Sequence, residues 1–383
     1  MKSWGLLVLA CLAATPATAQ TVSRVDPADV AGFDRVLPMR IVGRVAPEQG
    51  DTPGLVRRQW PGTYFETAFD GTEAAFRVGP GEVHLRVGVD GTAIPLLRPA
   101  PGLYRVAGLA PGPHRLRVDV VSESQAGATV FGGFHARAGT TPIAPTPRPR
   151  QIEFIGDSHT VGYGNTSATR NCTREEVWRT TDTSQGIAPR VARHFDADYQ
   201  VNAISGRGIV RNYDGGPGHT LPQAYPYTLF EDAQPYLAQA WSPQVIVIAL
   251  GTNDFTTPLR PGEHWPTRQA LHRDFQAGYA GFVRELRARN PAAEVVLWAT
   301  DLADGEIAAQ VEQVVQALHA AGEQRVQFVR IGGLQMSACD WHPGLADDQA
   351  IAAAIIAELE RRPDTWSQTP PGSDAAAASL PGN

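Results

Sequence analysis

The hydrophobic pattern of this chain changes at one proline-rich stretch, and the change divides the chain into two parts with different predicted folds. Residues 20–140 carry short runs of alternating apolar and polar residues, such as Tyr64 to Phe69 and Arg115 to Val121, separated by turn sequences such as Asp70-Gly71. Alternation over about four to eight residues is typical of strands with one buried face. Many short strands without a convincing helix predict an all-β sandwich of the jelly-roll type.

The stretch itself, residues 141–150, contains four prolines, which predicts a stiff, extended linker. From residue 151 to residue 363 the pattern becomes strand, loop and helix. Near-continuous apolar runs are typical of parallel strands buried on both faces, so we expect a doubly wound α/β domain here. The predicted strands are Gln151 to Ile155, Tyr199 to Ile204, Val245 to Leu250, Glu294 to Ala299 and Val326 to Ile331, and the predicted helices are Arg268 to Ala288, Glu306 to Ala320 and Asp347 to Arg361.

Both ends of the chain are predicted to lie outside the folded part. Residues 1–19 have the pattern of a signal peptide, because Lys2 is followed by a short apolar run and by the cleavage sequence Ala17-Thr18-Ala19. Removal of this segment predicts a periplasmic or secreted protein, and lipidation at Cys11 is the rival interpretation. Residues 364–383 are rich in Pro, Ser, Gly and Ala and predict a disordered tail.

Charge and residue spacing argue against several classes of function. The chain of 383 residues has a formal net charge of −6 and lacks the basic footprint of a nucleic-acid-binding protein. No segment after the signal peptide is apolar enough to cross a membrane, and we find no metal-ligand spacing. We therefore expect no nucleic-acid partner, no membrane association after cleavage, no metal ion and no cofactor.

Polar or glycine-rich segments follow several of the predicted parallel strands. In open α/β sheets, ligands bind beyond the carboxyl ends of the strands, so these segments are expected to meet at one edge of the sheet. A serine at a strand-to-helix turn exposes its hydroxyl there, and a histidine on another loop can accept the hydroxyl proton. The segments are Gly156-Asp157-Ser158-His159, Ser205-Gly206-Arg207-Gly208, Gly251-Thr252-Asn253-Asp254 and, before the last helix, Cys339-Asp340-Trp341-His342-Pro343-Gly344.

One mechanism of acyl transfer uses residues from all four segments. Ser158 is the predicted nucleophile, His342 the general base, and Asp340 the acid that orients the imidazole. The backbone N–H groups of Ser158 and Gly206, with the side-chain amide of Asn253, are predicted to form an oxyanion hole. Each residue taken alone also has a structural interpretation as a turn, loop or cap residue. The occurrence of all four segments in order favours the catalytic interpretation.

The four segments resemble the blocks of the SGNH (GDSL-like) hydrolase superfamily over residues 151–362. With the N-terminal sandwich, the strings from Ile155 to Asn165 and from Cys339 to Pro343 are similar to carbohydrate esterase family 2, so the resemblance covers nearly the whole mature chain. It implies a jelly roll joined to an SGNH domain, whose flavodoxin-like parallel sheet has helices on both faces. It also implies a cofactor-free serine esterase that removes O-acetyl groups from polysaccharides such as xylan, mannan or glucomannan through an acetyl-serine intermediate.

The orienting acid departs from the superfamily pattern. That pattern places the acid three residues before the histidine, where this chain has Cys339, and the nearest acid, Asp340, lies two residues before His342. Some relatives in family 2 are similar to a dyad in which a backbone carbonyl orients the histidine. Both the Asp340 carboxylate and a carbonyl therefore remain candidates.

The cysteines that remain after signal cleavage, Cys172 and Cys339, lie close in sequence to the predicted nucleophile turn and the predicted histidine loop. They are either two separate buried thiols or a disulfide, and an oxidising compartment favours the disulfide. Trp341 and Trp178 are candidates for stacking on a sugar, with core packing as the alternative.

We expect a monomer whose partner is an acetylated polysaccharide or oligosaccharide. Two alternatives remain: an SGNH esterase or lipase for another acyl ester, and a carbohydrate-binding protein without catalysis.

Overall fold

The computed structural model describes residues 19–48, 54–230, 234–237 and 241–367. Residues 1–18 of the predicted signal peptide and residues 368–383 of the predicted tail lie outside the described residues. The strands are β1 (Thr21–Arg24), β2 (Arg35–Leu37), β3 (Arg40–Val42), β4 (Val45–Pro47), β5 (Val56–Arg58), β6 (Tyr64–Gly71), β7 (Ala74–Val78), β8 (Leu85–Val89), β9 (Thr92–Leu96), β10 (Gly102–Ala107), β11 (Gly112–Val120), β12 (Thr129–Ala136), β13 (Thr141–Ile143), β14 (Arg150–Gly156), β15 (Ala197–Ala203), β16 (Val245–Ala249), β17 (Glu294–Thr300) and β18 (Val326–Ile331). The α-helices are α1 (Ser158–Val161), α2 (Arg174–Thr180), α3 (Ile187–His194), α4 (Leu221–Ala224), α5 (Thr252–Phe255), α6 (Arg268–Arg289), α7 (Glu306–Ala320) and α8 (Leu345–Glu360).

The N-terminal part is a sandwich of two antiparallel sheets, as the sequence predicted. One sheet has the strand order β1-β10-β7-β12-β5-β4, with β2 also pairing with β12. The other has the order β13-β6-β11-β8-β9, with β3 also pairing with β6. Their inner faces bury aromatic and aliphatic side chains between them, and the rings of Phe65 and Phe131 stack across the sandwich at 3.9 Å.

The predicted linker is shorter than the sequence indicated. Residues 141–143 form β13, which pairs antiparallel with β6, so that Thr141 lies opposite Asp70 and Ile143 lies opposite Ala68. A proline is tolerated at a sheet edge, where its missing N–H removes no ladder bond. Pro142 therefore lies in a strand of the sandwich, and the connection to β14 spans residues 144–149 only.

The C-terminal part contains a five-stranded parallel sheet in the order β15-β14-β16-β17-β18. By position along the chain, this is the flavodoxin-like order 2-1-3-4-5. One face packs against α6 and α7, and the other packs against α3 and α8. The predicted α/β class is confirmed, and the order places the carboxyl end of β14 beside those of β15 and β16.

The sequence prediction places the start of the disordered tail, residue 364, before the folded part ends. Pro363–Trp366 form a 3-10 turn directly after α8. The indole of Trp366 packs 5.0 Å from the ring of Phe195, and the Arg150 guanidinium also lies 5.0 Å from this indole. Partial burial of this aromatic side chain stabilises the turn, so the folded part extends at least to residue 366.

The two parts share an extensive interface. Tyr64 of β6 donates a hydrogen bond to Asp198 of β15 at 2.7 Å, and Arg117 of β11 donates to the hydroxyl of Tyr199 at 3.0 Å. Trp60, only 1% exposed, belongs to the hydrophobic core of the α/β part and donates to the carbonyl of Tyr227. This interface brings the loop after β11 close to the carboxyl edge of the parallel sheet.

Candidate active site

Ser158 lies at the turn between β14 and α1. Asp157 caps the helix through its side chain, which accepts from the N–H of His159 at 3.1 Å. Only glycine fits at the preceding position 156, because a Cβ on Gly156 would lie 2.0 Å from Oγ1 of Thr160 and 3.0 Å from the carbonyl oxygen of Ala249. The strand therefore turns sharply into the helix, and Ser158 is held at the carboxyl edge of the sheet.

His342 is in direct contact with this serine. Its Nε2 lies 2.9 Å from the Oγ of Ser158, although the two residues are 184 positions apart in the chain. Its Nδ1 lies 2.9 Å from the carbonyl oxygen of Cys339 and 3.1 Å from that of Asp340. Because carbonyl oxygens only accept, Nδ1 must carry the proton and Nε2 is free to accept from the serine hydroxyl. This is the tautomer that a general base requires.

The prediction that the Asp340 carboxylate orients His342 is wrong for this structure. Asp340 and Trp341 both have left-handed backbone angles, with φ of 50° and 61°. This turn directs the Asp340 side chain to Tyr163, whose hydroxyl donates to its Oδ2 at 3.0 Å. Backbone carbonyls, the second candidate from the sequence, hold the imidazole instead.

Burial decides the charge of the imidazole. Desolvation lowers the pKa of His342 below its ordinary value. The hydrogen bonds to the carbonyls of Cys339 and Asp340 and the nearby Asp340 charge raise this pKa, but by less. A second imidazole, that of His159, lies 5.5 Å away, and burial lowers its pKa to about 3. Both rings are therefore neutral at pH 7, and His342 can accept a proton.

A disulfide joins Cys172 to Cys339, with an S–S distance of 1.98 Å. Further bonds tie the same two segments together: the N–H of Asp340 donates to the carbonyl of Arg170 at 2.8 Å, and Arg170 Nε donates to the carbonyl of Met336 at 2.7 Å. Of the two carbonyls that accept from His342, that of Cys339 thus belongs to a residue fixed covalently to the segment before α2.

The three predicted oxyanion donors lie in the first, second and third polar segments. Among the described residues, the N–H groups of Ser158 and Gly206 have no hydrogen-bond partner. Gly206 has φ of +85°, a conformation that favours glycine. The Asn253 amide donates to Oδ2 of Asp157 at 3.1 Å and to the carbonyl of Arg207 at 2.9 Å. Asn253 is thereby held between the first two segments, and both of its amide hydrogens have an acceptor.

Two buried carboxyls hold these segments in place. Asp254 accepts from the N–H groups of Ile209, Val210 and Arg211 at 2.9–3.0 Å, and burial raises its pKa to about 6. Burial likewise raises the pKa of Asp157 to about 7, opposed by the hydrogen bond from His159. Asp254 contacts the loop after Gly206, and Asp157 contacts the turn of Ser158 and the amide of Asn253, so both carboxyls hold the segments that carry the predicted donors.

Models of known families match both parts of the chain. A model described as the N-terminal part of carbohydrate esterase 2 matches residues 41–147, and one for the GDSL-like lipase/acylhydrolase family matches residues 154–358. The acetylxylan esterase / glucomannan deacetylase of Cellvibrio japonicus is 45% identical over 334 residues, which cover 86% of this chain and 92% of the relative. This chain belongs to carbohydrate esterase family 2. The family 2 chain is accordingly a carboxylic ester hydrolase with an SGNH domain.

Solved structures agree with the assignment to family 2. A carbohydrate esterase whose active site has divergent catalytic and non-catalytic binding functions superposes with a TM-score of 0.82 at 42% identity, covering 87% of this chain and all of that one. A family two carbohydrate esterase from Clostridium thermocellum, in complex with cellohexaose, superposes with a TM-score of 0.73 at 29% identity, covering 85% and 100%.

The two candidate sugar-stacking tryptophans of the family 2 chain lie in different surroundings. Trp341 is 63% exposed beside His342, with the Arg170 guanidinium 3.8 Å from its ring. Trp178 is half-buried in α2, where its ring lies 3.7 Å from that of His84 in the sandwich. Trp341 therefore has surface available for a ligand, whereas Trp178 packs at the interface between the two parts. For both, contact with substrate stays a prediction.

Sequence reasoning missed two groups near the site. The ring of Tyr163 lies 4.3 Å from that of His342, and its place within the string from Ile155 to Asn165 was a usable signal. Glu123 and Gln125, from the loop after β11, bond to Ser205 beside Gly206. No sequence signal connects them with the site, because their position depends on how the sandwich docks.

No three His, Cys, Asp or Glu side chains within the described ranges are grouped so that they could hold a metal ion. None of the helices in the same ranges is long and apolar enough to cross a membrane.

Proposed function

We propose that this carbohydrate esterase removes acetyl groups from O-acetylated polysaccharides and that Ser158 carries the acetyl group between two half-reactions. The observation that supports this most strongly is the 2.9 Å contact between Ser158 Oγ and His342 Nε2 at the carboxyl edge of the sheet. The name of the Cellvibrio japonicus relative, an acetylxylan esterase / glucomannan deacetylase, supports acetylated xylan and glucomannan as substrates.

In the first half-reaction, Ser158 Oγ attacks the acetyl carbonyl carbon while His342 Nε2 takes the hydroxyl proton. The tetrahedral intermediate carries the negative charge on the former carbonyl oxygen. His342 then returns its proton to the sugar oxygen as the C–O bond to the acetyl group breaks, which releases the deacetylated hydroxyl. In the second half-reaction, water attacks acetyl-Ser158 while His342 Nε2 takes a proton from it, and His342 then returns this proton to Ser158 Oγ as the acyl C–O bond breaks and acetate leaves.

The N–H groups of Ser158 and Gly206, which have no hydrogen-bond partner within the described part of the chain, stabilise the oxyanion directly. Asn253 is the third donor in this proposal, and it must exchange one of its present acceptors, the Arg207 carbonyl or the Asp157 carboxylate, for the oxyanion. A single oxyanion donor is worth about 3–4 kcal/mol in known cases. The carbonyls of Cys339 and Asp340 stabilise the imidazolium that forms, because each accepts from its Nδ1–H.

The proposed reaction takes place outside the cytoplasm. The signal-like N-terminus supports export, and the Cys172–Cys339 disulfide agrees with an oxidising compartment. The exposed ring of Trp341 beside His342 gives a sugar ring an apolar face on which to stack.

The proposal is tested by acetate release from acetylated xylan, glucomannan and mannan, with wild type, Ser158→Ala and His342→Ala compared side by side. Acetate release by wild type alone supports it. Faster hydrolysis of esters whose acyl chain has eight or more carbons would identify a different acyl esterase. Absence of both ester hydrolysis and fluorophosphonate labelling in wild type would leave only carbohydrate binding.

A further inference from the structure

The loop between β11 and β12 of the sandwich reaches the oxyanion segment of the α/β part. The side chains of Glu123 and Gln125 extend from this loop to Ser205. The N–H of Ser205 donates to Oε1 of Glu123 at 2.7 Å, and Nε2 of Gln125 donates to the carbonyl oxygen of Ser205 at 3.1 Å. The two side chains also bond to each other, since Gln125 Nε2 lies 3.0 Å from Oε1 of Glu123. Both peptide groups that flank the Cα of Ser205 are therefore held by the sandwich.

The second of these peptide groups is the one that matters for catalysis. The carbonyl of Ser205 and the N–H of Gly206 belong to the same planar trans peptide, in which C=O and N–H point in opposite directions. A donor that fixes the carbonyl on one side consequently fixes the N–H on the other side. A hydrogen bond accepted by the carbonyl also polarises the peptide and strengthens its N–H as a donor.

The rest of the second segment supports this peptide only indirectly: the N–H of Arg207 donates to the carbonyl of Ile204 at 3.2 Å, which closes a turn around Ser205 and Gly206 without bonding the Ser205 carbonyl itself. Gly206, at φ of +85°, has no Cβ, so sterics restrict its backbone less than that of other residues. The carbonyl of Gly206 accepts from the N–H of Tyr213 at 2.9 Å, which holds the following peptide and not the one that carries the donor.

The sandwich loop is itself anchored on both sides. The indole N–H of Trp178 in α2 donates to the backbone carbonyl of Glu123 at 3.3 Å, and Nε2 of Gln59 donates to the carbonyl of Ser124 at 3.2 Å. Burial raises the pKa of Glu123, and the hydrogen bonds from Ser205 and Gln125 lower it by less. These contacts give the loop a fixed position from which Gln125 can act.

We propose that Glu123 and Gln125 are positioning residues that align the Gly206 N–H of the oxyanion hole, so that the sandwich supplies part of the catalytic machinery. This inference rests on the proposed function, because it assumes that Gly206 stabilises an oxyanion. It assigns the sandwich a role in the transition state rather than in holding the polysaccharide.

Gln125→Ala is the primary test, because Gln125 is exposed and its replacement leaves the core intact. Removing a complete oxyanion donor costs about 100- to 1,000-fold in kcat, and a misaligned donor costs less, so we expect a loss of about tenfold. KM should stay within about twofold of wild type, because the hole acts in the transition state. Labelling of Ser158 by a fluorophosphonate should slow in parallel, since the phosphoryl oxygen occupies the same hole.

Four further variants complete the test. Gln324→Ala is the matched control, because Gln324 is also exposed and also donates its side-chain amide to a backbone carbonyl, that of His319 at 3.2 Å, at the opposite edge of the sheet. Glu123→Gln keeps an acceptor for the Ser205 N–H and should retain more activity than Glu123→Ala. A double alanine variant should lose little more than the worse single variant, because both side chains act on one segment.

The outcomes separate this inference from the function on which it rests. A kcat for Gln125→Ala within about twofold of wild type, or a loss confined to KM, would overturn the positioning role while Ser158→Ala still abolishes activity. A wild-type protein that neither hydrolyses acetyl esters nor reacts with a fluorophosphonate would overturn the proposed function itself. Equal thermal unfolding midpoints for wild type and Gln125→Ala ensure that a loss of kcat reports on the site.

Discussion

Removal of the Asp340 carboxylate should affect catalysis far less than removal of either member of the Ser158–His342 pair. The carboxylate is exposed, its Oδ2 accepts from the hydroxyl of Tyr163, and the contacts of His342 Nδ1 are to backbone carbonyls. Asp340→Ala leaves both carbonyls in place. The perturbation is therefore confined to a surface charge near the imidazole and one hydrogen bond from a tyrosine.

The expected magnitude follows from this geometry. Interactions of exposed charges contribute about 0.2–1 kcal/mol, and 1 kcal/mol corresponds to about fivefold in rate. An aspartate that orients the histidine in a complete triad is worth about 10,000-fold in kcat. Asp340→Ala should thus lower kcat by less than about tenfold, whereas Ser158→Ala and His342→Ala should each lower it by at least about 1,000-fold.

The assay is initial-rate hydrolysis of a soluble acetyl ester by Asp340→Ala, Asp340→Asn and Tyr163→Phe at one pH above the titration of His342. Tyr163→Phe is the matched control, because it removes the hydrogen bond of the carboxylate and leaves its charge. Small losses of kcat, of similar size in all three variants, agree with orientation of His342 by backbone carbonyls. A loss for Asp340→Asn comparable to that of His342→Ala would refute the reasoning and restore the complete triad.

Three other predictions concern the bridge, the base and a buried acid. Replacing Cys172 and Cys339 by Ser should lower the free energy of unfolding by up to about 5 kcal/mol, because the bridge closes a loop of 167 residues. The same replacement should lower kcat, because the bridge holds the loop that carries His342. Denaturant unfolding and activity assays measure the two effects, and an unchanged kcat would show that the bridge does not support the histidine loop. The acid limb of kcat/KM should have its midpoint below pH 6.5, because burial lowers the pKa of His342; a midpoint above this value would contradict the desolvation argument. Asp348 accepts from Asn165 at 2.9 Å, and burial raises its pKa from 3.8 to about 7. Between about pH 4 and pH 7 the folded state therefore keeps the proton on Asp348, whereas the unfolded state loses it. The free energy of unfolding falls over this pH range as a result. Asp348→Asn should make that decline shallower, by at most about 4 kcal/mol, and an equally steep decline in equilibrium unfolding would exclude Asp348 as its source.

The elements that sequence reasoning located best are those with a strong local signal. The predicted runs from Glu294 and from Val326 differ from β17 and β18 by no more than one residue at either end, because continuous apolar runs define buried parallel strands. The predicted helix Glu306 to Ala320 matches α7. The short strand β13 was assigned to the linker, since it is stabilised by pairing with the distant strand β6 rather than by its own pattern.

The site shows the same division between local and distant information. The positions of Ser158 and His342 follow from short segments after β14 and before α8, so they could be predicted. The conformation of Asp340 could not, because its left-handed φ of 50° is set by a tight turn fixed through the Cys339 bridge and the Arg170 carbonyl. The placement of Gln125 beside the second segment depends on interdomain packing, which leaves no local trace in the sequence.

The central claim is that Ser158 becomes acetylated during turnover, and intact-mass and peptide mass spectrometry after acid quench tests it most directly. Protein mixed with an activated acetyl ester and quenched in the steady state should carry one acetyl group on the peptide that contains Ser158. The adduct should disappear from Ser158→Ala. An acetyl group on another residue that forms and decays at the rate of turnover, or undiminished activity of Ser158→Ala, would contradict the account.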